Sequence, residues 1–259
     1  MLVNASEIVV TFFDGSEATG ITKESDFNTG LSVIAVNLSD VEESTRRYIT
    51  PVKLANSMVS TLLATPVIAI GKIYGSADSV GYGMVVSKED YVNLIDQNYE
   101  LLKTNIYGSV DATGVIANTN GEILGIIDQT YNSEDASNLI TAIGISELKK
   151  DMERMSNGKA RARMGVLGKD VPLEVHENQG VPYGAYVTSI VMGTPAMDAG
   201  IQSGDIIIEM ANTPVLSYSD FTEIMIDRTP DVTIPVKIMR QGIEEFRELE
   251  LEITLDEMK

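Results

Sequence analysis

Short runs of apolar residues alternate with polar turn residues along the first half of the chain. β-Branched and aromatic residues dominate these runs, and Gly, Asp or Asn follows several of them, as is typical of strands and their turns. The predicted strands lie at residues 8–13, 31–36, 67–71, 80–87 and 139–145. This pattern predicts a mainly β first half, although the apolar positions of 88–103 fit a helix as well as a strand.

A polar loop that begins at residue 104 runs into a predicted β-hairpin. Apolar residues at 115–117 and 122–127 form its two arms, and Asn120-Gly121 supplies the positive φ angles that a tight turn needs. The loop before the hairpin contains Ser109 and Ala112. We expect the chemistry of the first half of the chain to depend on this stretch.

The pattern becomes helical after residue 146. Leu148, Met152 and Met155 recur at spacings of three and four, and Gly158 ends the segment. The segment is locally basic, and we interpret it as a solvated linker helix in an acidic protein; an anionic partner is the alternative. We therefore predict a first domain at 1–146, a helical linker at 147–162 and a second domain at 163–259.

The second domain combines helices with strands. Pro195 opens a short helix that ends at Gly200, and Ser217 or Ser219 caps a longer helix. Strands are predicted at 206–210 and 232–239, and a closing strand with apolar residues at every second position is predicted at 249–255. This order of elements predicts an α+β domain.

Composition narrows the classes of function. The 259 residues carry a formal net charge of −19, which repels phosphate backbones, so we predict no nucleic-acid binding. Cysteine is absent, which excludes disulfides and a cysteine nucleophile. The single histidine, His176, is interpreted as a solvated loop residue. The acids Asp128, Glu134 and Asp135 do not have EF-hand spacing, and we predict no metal and no cofactor.

The hairpin and its neighbouring strands resemble the HtrA (Deg) branch of the chymotrypsin-like serine proteases. Gly121-Glu122 and Gly125-Ile126 match the hairpin that follows the family's nucleophile, and 67–71 matches its Val-Ile-Ala-Ile-Gly strand. The resemblance implies a chymotrypsin-like double β-barrel. The family's catalytic histidine precedes the strand at 8–13, so we expect an N-terminally truncated first barrel that is partial or whose strands re-pair.

The resemblance also assigns the catalytic positions, and their side chains are not those of a protease. The family's serine falls on Ala112 when counted back from the hairpin, and on Thr113 when counted forward along the loop. Gly30 stands where the triad aspartate would be, and glycine cannot orient a histidine. We expect an inactive protease fold. The alternative is an active endopeptidase in which Ser109 is the nucleophile and upstream sequence supplies the histidine.

The second domain resembles a PDZ domain. Residues 193–207, Gly-Thr-Pro-Ala-Met-Asp-Ala-Gly-Ile-Gln-Ser-Gly-Asp-Ile-Ile, match the signature Gly-Ser-Pro-Ala-x-x-Ala-Gly-Ile-x-x-Gly-Asp-x-Ile. The family's carboxylate-binding loop falls on Arg163, Met164, Gly165 and Val166. Successive backbone N–H groups bind an anion in this loop, a peptide pairs beside 166–168, and Arg163 is expected to add charge. Ile224 is predicted to face the peptide groove.

Together the resemblances predict a mainly β, HtrA-like protein that binds peptides or protein C-termini without cleaving them. An active endopeptidase in protein quality control is the alternative. HtrA relatives work outside the cytoplasm, which implies an extracytoplasmic bacterial location, with a membrane tether in sequence upstream of this chain. Family trimers assemble largely through N-terminal segments that this chain lacks, so we do not expect a trimer.

Overall fold

A computed structural model describes residues 5–243 and 245–258, and it begins with a small antiparallel sheet. The sheet has the order β1 (Val9–Thr11), β2 (Glu17–Ser25) and β3 (Ser32–Val36). The sequence pattern does not predict β2, because its inward positions are the small residues Ala18 and Gly20. The described part of the first lobe is therefore a partial sheet rather than a closed barrel, one of the two predicted outcomes.

The second lobe is a closed six-stranded barrel. Its strands are β4 (Pro66–Lys72), β5 (Ser79–Leu94), β6 (Gln97–Tyr107), β7 (Thr113–Asn118), β8 (Ile123–Ile127) and β9 (Leu139–Gly144). They close in the order β4-β5-β6-β9-β8-β7 around an apolar core that includes Val67, Leu102, Ile116 and Ile140. A short helix, α1 (Glu43–Arg46), lies in the connection between the lobes. The barrel confirms the mainly β prediction for the first half.

Two details of the barrel differ from the sequence-based picture. The ambiguous segment 88–103 is strand, because β5 and β6 continue past the barrel as a long hairpin whose last pair is Leu94 with Gln97. In the turn between β7 and β8 only Gly121 has a positive φ, of +78°, and Asn120 does not. The β5–β6 hairpin becomes important below, because its tip reaches the second domain.

Helix α2 (Ile145–Ser156) follows the barrel, and the prediction that it is solvated is wrong. Leu148 and Met155 are fully buried, as are the charged side chains of Asp151 and Arg154. The helix packs against β2, β3, β8 and β9, which ties it to the first half of the molecule. One of its basic side chains, Arg154, therefore forms its ion pairs inside the protein.

The remaining residues form an α+β domain. Its elements are β10 (Ala162–Arg163), β11 (Val166–Asp170), α3 (Leu173–Gln179), β12 (Ala185–Ile190), α4 (Pro195–Asp198), β13 (Ile206–Met210), β14 (Thr213–Pro214), α5 (Tyr218–Ile226), β15 (Thr233–Gln241), β16 (Phe246–Thr254) and β17 (Asp256–Glu257). The main sheet has the order β11-β12-β13-β15-β16, and β10 pairs with β17. Helix α5 covers the core with Phe221 and Met225. Ser217 caps α5 and forms a capping box with Asp220, which decides between the two predicted caps.

Helix α3 was predicted as a loop, so the interpretation of His176 needs correction. The histidine lies on α3, its Nδ1 is 2.7 Å from the Val181 carbonyl oxygen, and its ring stacks on Tyr183. The helix carries no buried side chain, so the sequence shows no apolar stripe. Pro172 before it and Gly180 after it, at φ +66°, are the signals that could have revealed it. Among the described residues, no helix has the length and apolar character needed to cross a bilayer.

Candidate peptide-binding site

The loop between β10 and β11 presents three successive backbone N–H groups toward one point. They belong to Met164, Gly165 and Val166. Gly165 has φ +99°, which favours glycine, and a Cβ added there would overlap the Thr194 side chain. A run of converging N–H groups of this kind is an anion-binding nest. The sequence-based prediction places the carboxylate-binding loop at these same residues.

The charge of Arg163 is mainly paired with Asp256, and its attraction to Asp96 in the nest is the weaker of its interactions with the two acids. Its guanidinium makes two hydrogen bonds to the carboxylate of Asp256, with Nε at 2.8 Å from Oδ1. The pairing of β10 with β17 places these two residues side by side, so the ion pair follows from the register of the strands. The direct hydrogen bonds of the nest therefore come from its backbone.

The nest is occupied by a carboxylate from the first domain. Asp96, at the tip of the β5–β6 hairpin, accepts the N–H of Met164 at 2.7 Å, of Gly165 at 2.9 and 3.0 Å, and of Val166 at 2.8 Å. The backbone N–H of Asp96 donates to the Val166 carbonyl at 2.8 Å. The sequence gives no local signal for this contact, because the partners lie 68 to 70 positions apart.

The electrostatics of Asp96 reflect two opposed effects. Burial raises the pKa of its carboxyl above the ordinary value, because water no longer solvates the charge. The three backbone hydrogen bonds and the charge of Arg161 act in the opposite direction, because they stabilise the ionised form. The side chain is 1% exposed, so the loop provides nearly all the polar contacts that replace its hydration.

Tyr218, at the start of α5, closes the groove beside β11. Its hydroxyl donates to the Val166 carbonyl at 3.2 Å, and its ring packs so closely over Gly168 that a Cβ there would overlap it. Burial, followed by the charge of Asp96, raises the pKa of this phenol, and a hydrogen bond from the Gly168 backbone opposes the rise. Ile224, predicted to face the groove, is half-buried and packs against the domain core, and its place in the groove stays a prediction. Tyr218 was not identified from the sequence.

A buried ion cluster lies close to the tip of the same hairpin. Arg161 Nη1 is 3.0 Å from Asp26 Oδ1 and 3.6 Å from Asp151 Oδ1, and Arg154 contacts the same two acids. The hydroxyl of Tyr99 donates to Asp151 at 2.8 Å. Two acids and two arginines balance in charge, which is how buried ions are tolerated. The cluster joins the partial sheet, the hairpin, α2 and the start of the second domain.

The positions assigned to the catalytic residues also come together. Gly30 and Ala112 both line a shallow depression of about 610 Å³, as does Thr113 at the exposed start of β7. Ala112 is 2% exposed and belongs to the barrel core, and Gly30 lies in a turn at φ +69°. Their shared location supports the alignment drawn from the sequence. The two positions offer neither a nucleophilic side chain nor a carboxylate.

Ser109, the alternative nucleophile, lies at the start of the turn that ends at Ala112. Its hydroxyl accepts the backbone N–H of Asp111 at 3.3 Å, and its carbonyl accepts the N–H of Ala112 at 3.0 Å. The chain's single histidine lies in the other domain, with its ring held by Val181 and Tyr183. The described residues therefore do not pair Ser109 with an imidazole.

Comparison with known proteins shows what this arrangement is similar to. The PDZ domain model matches residues 150–255. A probable periplasmic serine endoprotease DegP-like from Hahella chejuensis is 27% identical over 94% of this chain and 51% of its own length. The serine endoprotease DegS of Salmonella typhimurium is 25% identical over 98% of this chain and 71% of its own length. The chain is therefore similar to HtrA-type serine endoproteases along nearly its whole length. It spans about half the length of the DegP-like relatives that it matches.

Solved HtrA structures agree with the fold. The HtrA-type protease AlgW with decapeptide superposes with a TM-score of 0.65 over 100% of this chain and 77% of that one, at 18% identity. The serine endoprotease from Yersinia pestis superposes with a TM-score of 0.59 over 99% of this chain and 82% of that one, at 24% identity. The HtrA architecture of a protease-type β-barrel followed by a PDZ domain therefore extends along the whole chain.

Proposed function

We propose that this HtrA homologue is a non-catalytic binding protein whose PDZ domain captures peptides or protein C-termini. The observation that carries the proposal is the nest at 164–166, where three backbone N–H groups already hold a carboxylate. An α-carboxylate at a chain end offers the same two oxygens. The recognised feature is then the free chain terminus, and residues before it pair along β11.

Two further facts support peptide recognition. The similar HtrA-type protease AlgW has been solved with a decapeptide and with a tripeptide, so that protease binds short peptides. Gly165 is needed at its position both for its φ of +99° and for its contact with Thr194. A loop whose backbone conformation requires glycine is suited to binding through main-chain groups.

The proposed lack of catalysis rests on the residues at the depression. A serine protease needs a nucleophile, a base within hydrogen-bonding reach and a group that orients the base. Ala112 and Gly30 provide neither the first nor the last of these, and His176 lies in the other domain. The depression is then a remnant of the fold without hydrolytic chemistry.

Binding and hydrolysis are tested separately on the full chain. Fluorescein-labelled pentapeptides ending in Val, Leu, Ile or Phe are titrated with protein, each beside its C-terminally amidated counterpart. We expect amidation to weaken binding by about ten- to hundredfold, because it removes charge-assisted hydrogen bonds to the nest. Equal affinity for the acid and amide forms would show that the nest does not bind the peptide carboxylate. No casein hydrolysis and no fluorophosphonate labelling are expected.

An active serine endopeptidase in protein quality control is the second candidate, favoured by the names of the matching relatives. It would require Ser109 as the nucleophile and a histidine from outside this chain. Casein hydrolysis that is lost in Ser109→Ala and retained in Ser60→Ala would establish it. Ser60 is an exposed serine of the inter-lobe connection and serves as the matched control.

The relatives also bear on the cellular setting. The DegP-like relatives are described as periplasmic, and we propose an extracytoplasmic location in a bacterium for this chain as well. A membrane tether upstream of residue 1 and the absence of a trimer remain predictions. Fractionation of the source bacterium checks the location, and sedimentation of the purified chain checks the oligomeric state.

A further inference from the structure

Asp96 imitates a peptide terminus in two respects. Its carboxylate accepts the N–H groups of Met164, Gly165 and Val166, and its own backbone N–H donates to the carbonyl of Val166 at 2.8 Å. The last residue of a bound peptide would offer a carboxylate to the nest and a backbone N–H to the neighbouring strand edge. One residue of the chain itself makes both kinds of contact.

The hairpin holds Asp96 in this position before any ligand arrives. Asp96 has φ +56°, a conformation that Asp tolerates, so the two-residue turn directs its carboxylate away from the strands. The amide of Asn28 donates to the Ile95 carbonyl at 2.7 Å. Gln97 and Tyr99, which follow the turn, both donate to the buried carboxylate of Asp151. The tip is therefore anchored on both sides of Asp96.

A second carboxylate cannot enter while Asp96 is bound. Each of the three N–H groups of the nest already donates to an oxygen of Asp96, which is buried. Tyr218 occupies the next part of the groove, where its hydroxyl meets Val166 and its ring covers Gly168. A peptide strand would need the same backbone groups of β11. The groove is closed by residues of the chain itself.

We propose that Asp96 is an internal pseudo-ligand that closes the PDZ groove, so that peptide C-termini bind only when they displace the tip of the β5–β6 hairpin. This inference rests on the proposed peptide-binding function and adds its regulation. An intramolecular occupant acts at an effective concentration on the order of millimolar or above. Peptides therefore bind the full chain more weakly than their contacts with the nest alone would allow.

Asp96→Asn tests the proposal with little change to the turn. Asn also tolerates a positive φ, but its amide nitrogen would face N–H donors and it lacks the negative charge. Asp78→Asn is the matched control, because Asp78 is an exposed turn residue of the same barrel at φ +59°. The probe is the set of pentapeptides with free carboxylates described above, titrated against the full-length wild-type chain and both variants.

We expect Asp96→Asn to bind the peptides at least about tenfold more tightly than wild type, because a larger fraction of molecules has an open groove. Asp78→Asn should bind as wild type does. Equal peptide affinity for wild type and Asp96→Asn, with binding measurable in both, would overturn the proposal. A loss of affinity in Asp96→Asn would overturn it as well.

Amide hydrogen exchange separates this proposal from the function on which it rests. In the full chain without peptide, the amides of Met164, Gly165 and Val166 should be protected, and Asp96→Asn should increase their exchange at least about tenfold. If no peptide binds any variant but this change occurs, the binding function fails and the internal contact stands. Unchanged exchange at all three amides in Asp96→Asn would refute the internal contact itself.

Discussion

The depression around Ala112 and the nest at 164–166 carry recognition chemistry of different kinds. At the depression, function in a protease would depend on particular side chains, and the chain has Ala112 and Gly30 there. In the nest, the donors are backbone N–H groups, which every residue other than proline supplies. A single substitution can remove the reactive side chain at one position. Backbone chemistry persists as long as the loop keeps its conformation, and here that requires Gly165.

Substitution in the buried ion cluster should have the largest effect, because the cluster joins the partial sheet and α2 to the start of the second domain. Arg161→Met leaves Asp26 and Asp151 with less compensation for their buried charge. Breaking a buried pair typically costs about 3–5 kcal/mol. We expect urea denaturation to show a loss of this size, and peptide binding to change as the hairpin loosens.

The control for this variant is an ion pair at the surface. Arg47→Met removes a pair with Glu43 in which both side chains are 69% exposed. Exposed pairs contribute about 0–1 kcal/mol, so this variant should unfold close to wild type. Equal stability of the Arg161 and Arg47 variants would mean that the buried cluster is not a structural joint.

A Cβ at position 165 should disturb the nest and leave the depression unchanged. Gly165→Ala combines a positive φ with an overlap against Thr194, and we expect about 2–3 kcal/mol of destabilisation in thermal unfolding. Gly180→Ala is the matched control, because Gly180 also has a positive φ, of +66°, but its Cβ would meet open space. Peptide binding should be lost in the first variant only. Retained affinity in Gly165→Ala would contradict the assignment of the nest.

The acid Glu147 on α2 gives a pH-dependent test on the barrel side. Burial, together with the charge of Glu100, raises the pKa of Glu147 to about 7, although the backbone N–H of Glu100 donates to it. Because the folded pKa is raised, this group's contribution to stability is complete below about pH 4.5 and is lost as pH rises through 7. Glu147→Gln should therefore be more stable than wild type at pH 8, by about 1–3 kcal/mol.

Denaturant titrations at two pH values check this prediction. At pH 5 the two proteins should differ little, because Glu147 is then largely protonated in the folded chain and resembles Gln. Glu43→Gln, on the exposed helix α1, is the control and should not show the same dependence. A pH-independent difference between Glu147→Gln and wild type would mean that the carboxyl does not titrate in this range.

The smallest effect is expected at the cap of α5, the helix that places Tyr218 over β11. Ser217 Oγ accepts the N–H of Asp220 at 3.0 Å, and the loss of such a cap costs about 1 kcal/mol. Ser217→Ala should lower the melting temperature by a few degrees. Ser219→Ala, at an exposed position in the same helix, should have almost no effect. Equal effects of the two substitutions would argue against the cap.

The sequence predicted the parts of the fold whose signals are local. The strand at 67–71, the hairpin after Ala112 and the helix after residue 146 all appear where periodicity and turn residues indicated. β2 was missed because Ala18 and Gly20 provide no large apolar positions, and α3 because it has no buried face. Hydrophobic periodicity reflects the burial of large apolar side chains. It therefore does not reveal elements whose side chains are small or exposed.

Of the candidate site, the sequence predicted only the residues that are neighbours in the chain. Gly165 and its neighbours could be located from the motif, and their three N–H groups converge on Asp96. The ion pair of Arg163 with Asp256 could not be predicted, because it depends on the register of β10 and β17. Asp96 could not have been found, because its role depends on a contact between distant parts of the chain.

The two strands that carry Asp96 connect the hairpin tip to the wall of the barrel. β5 is hydrogen-bonded to β4 and β6 to β9, so the arms that carry the tip are also part of the barrel wall. A chain end that displaces the tip would therefore strain strands of the barrel wall, and not only a surface loop. We therefore predict that an incoming chain terminus must distort these barrel strands to reach the nest.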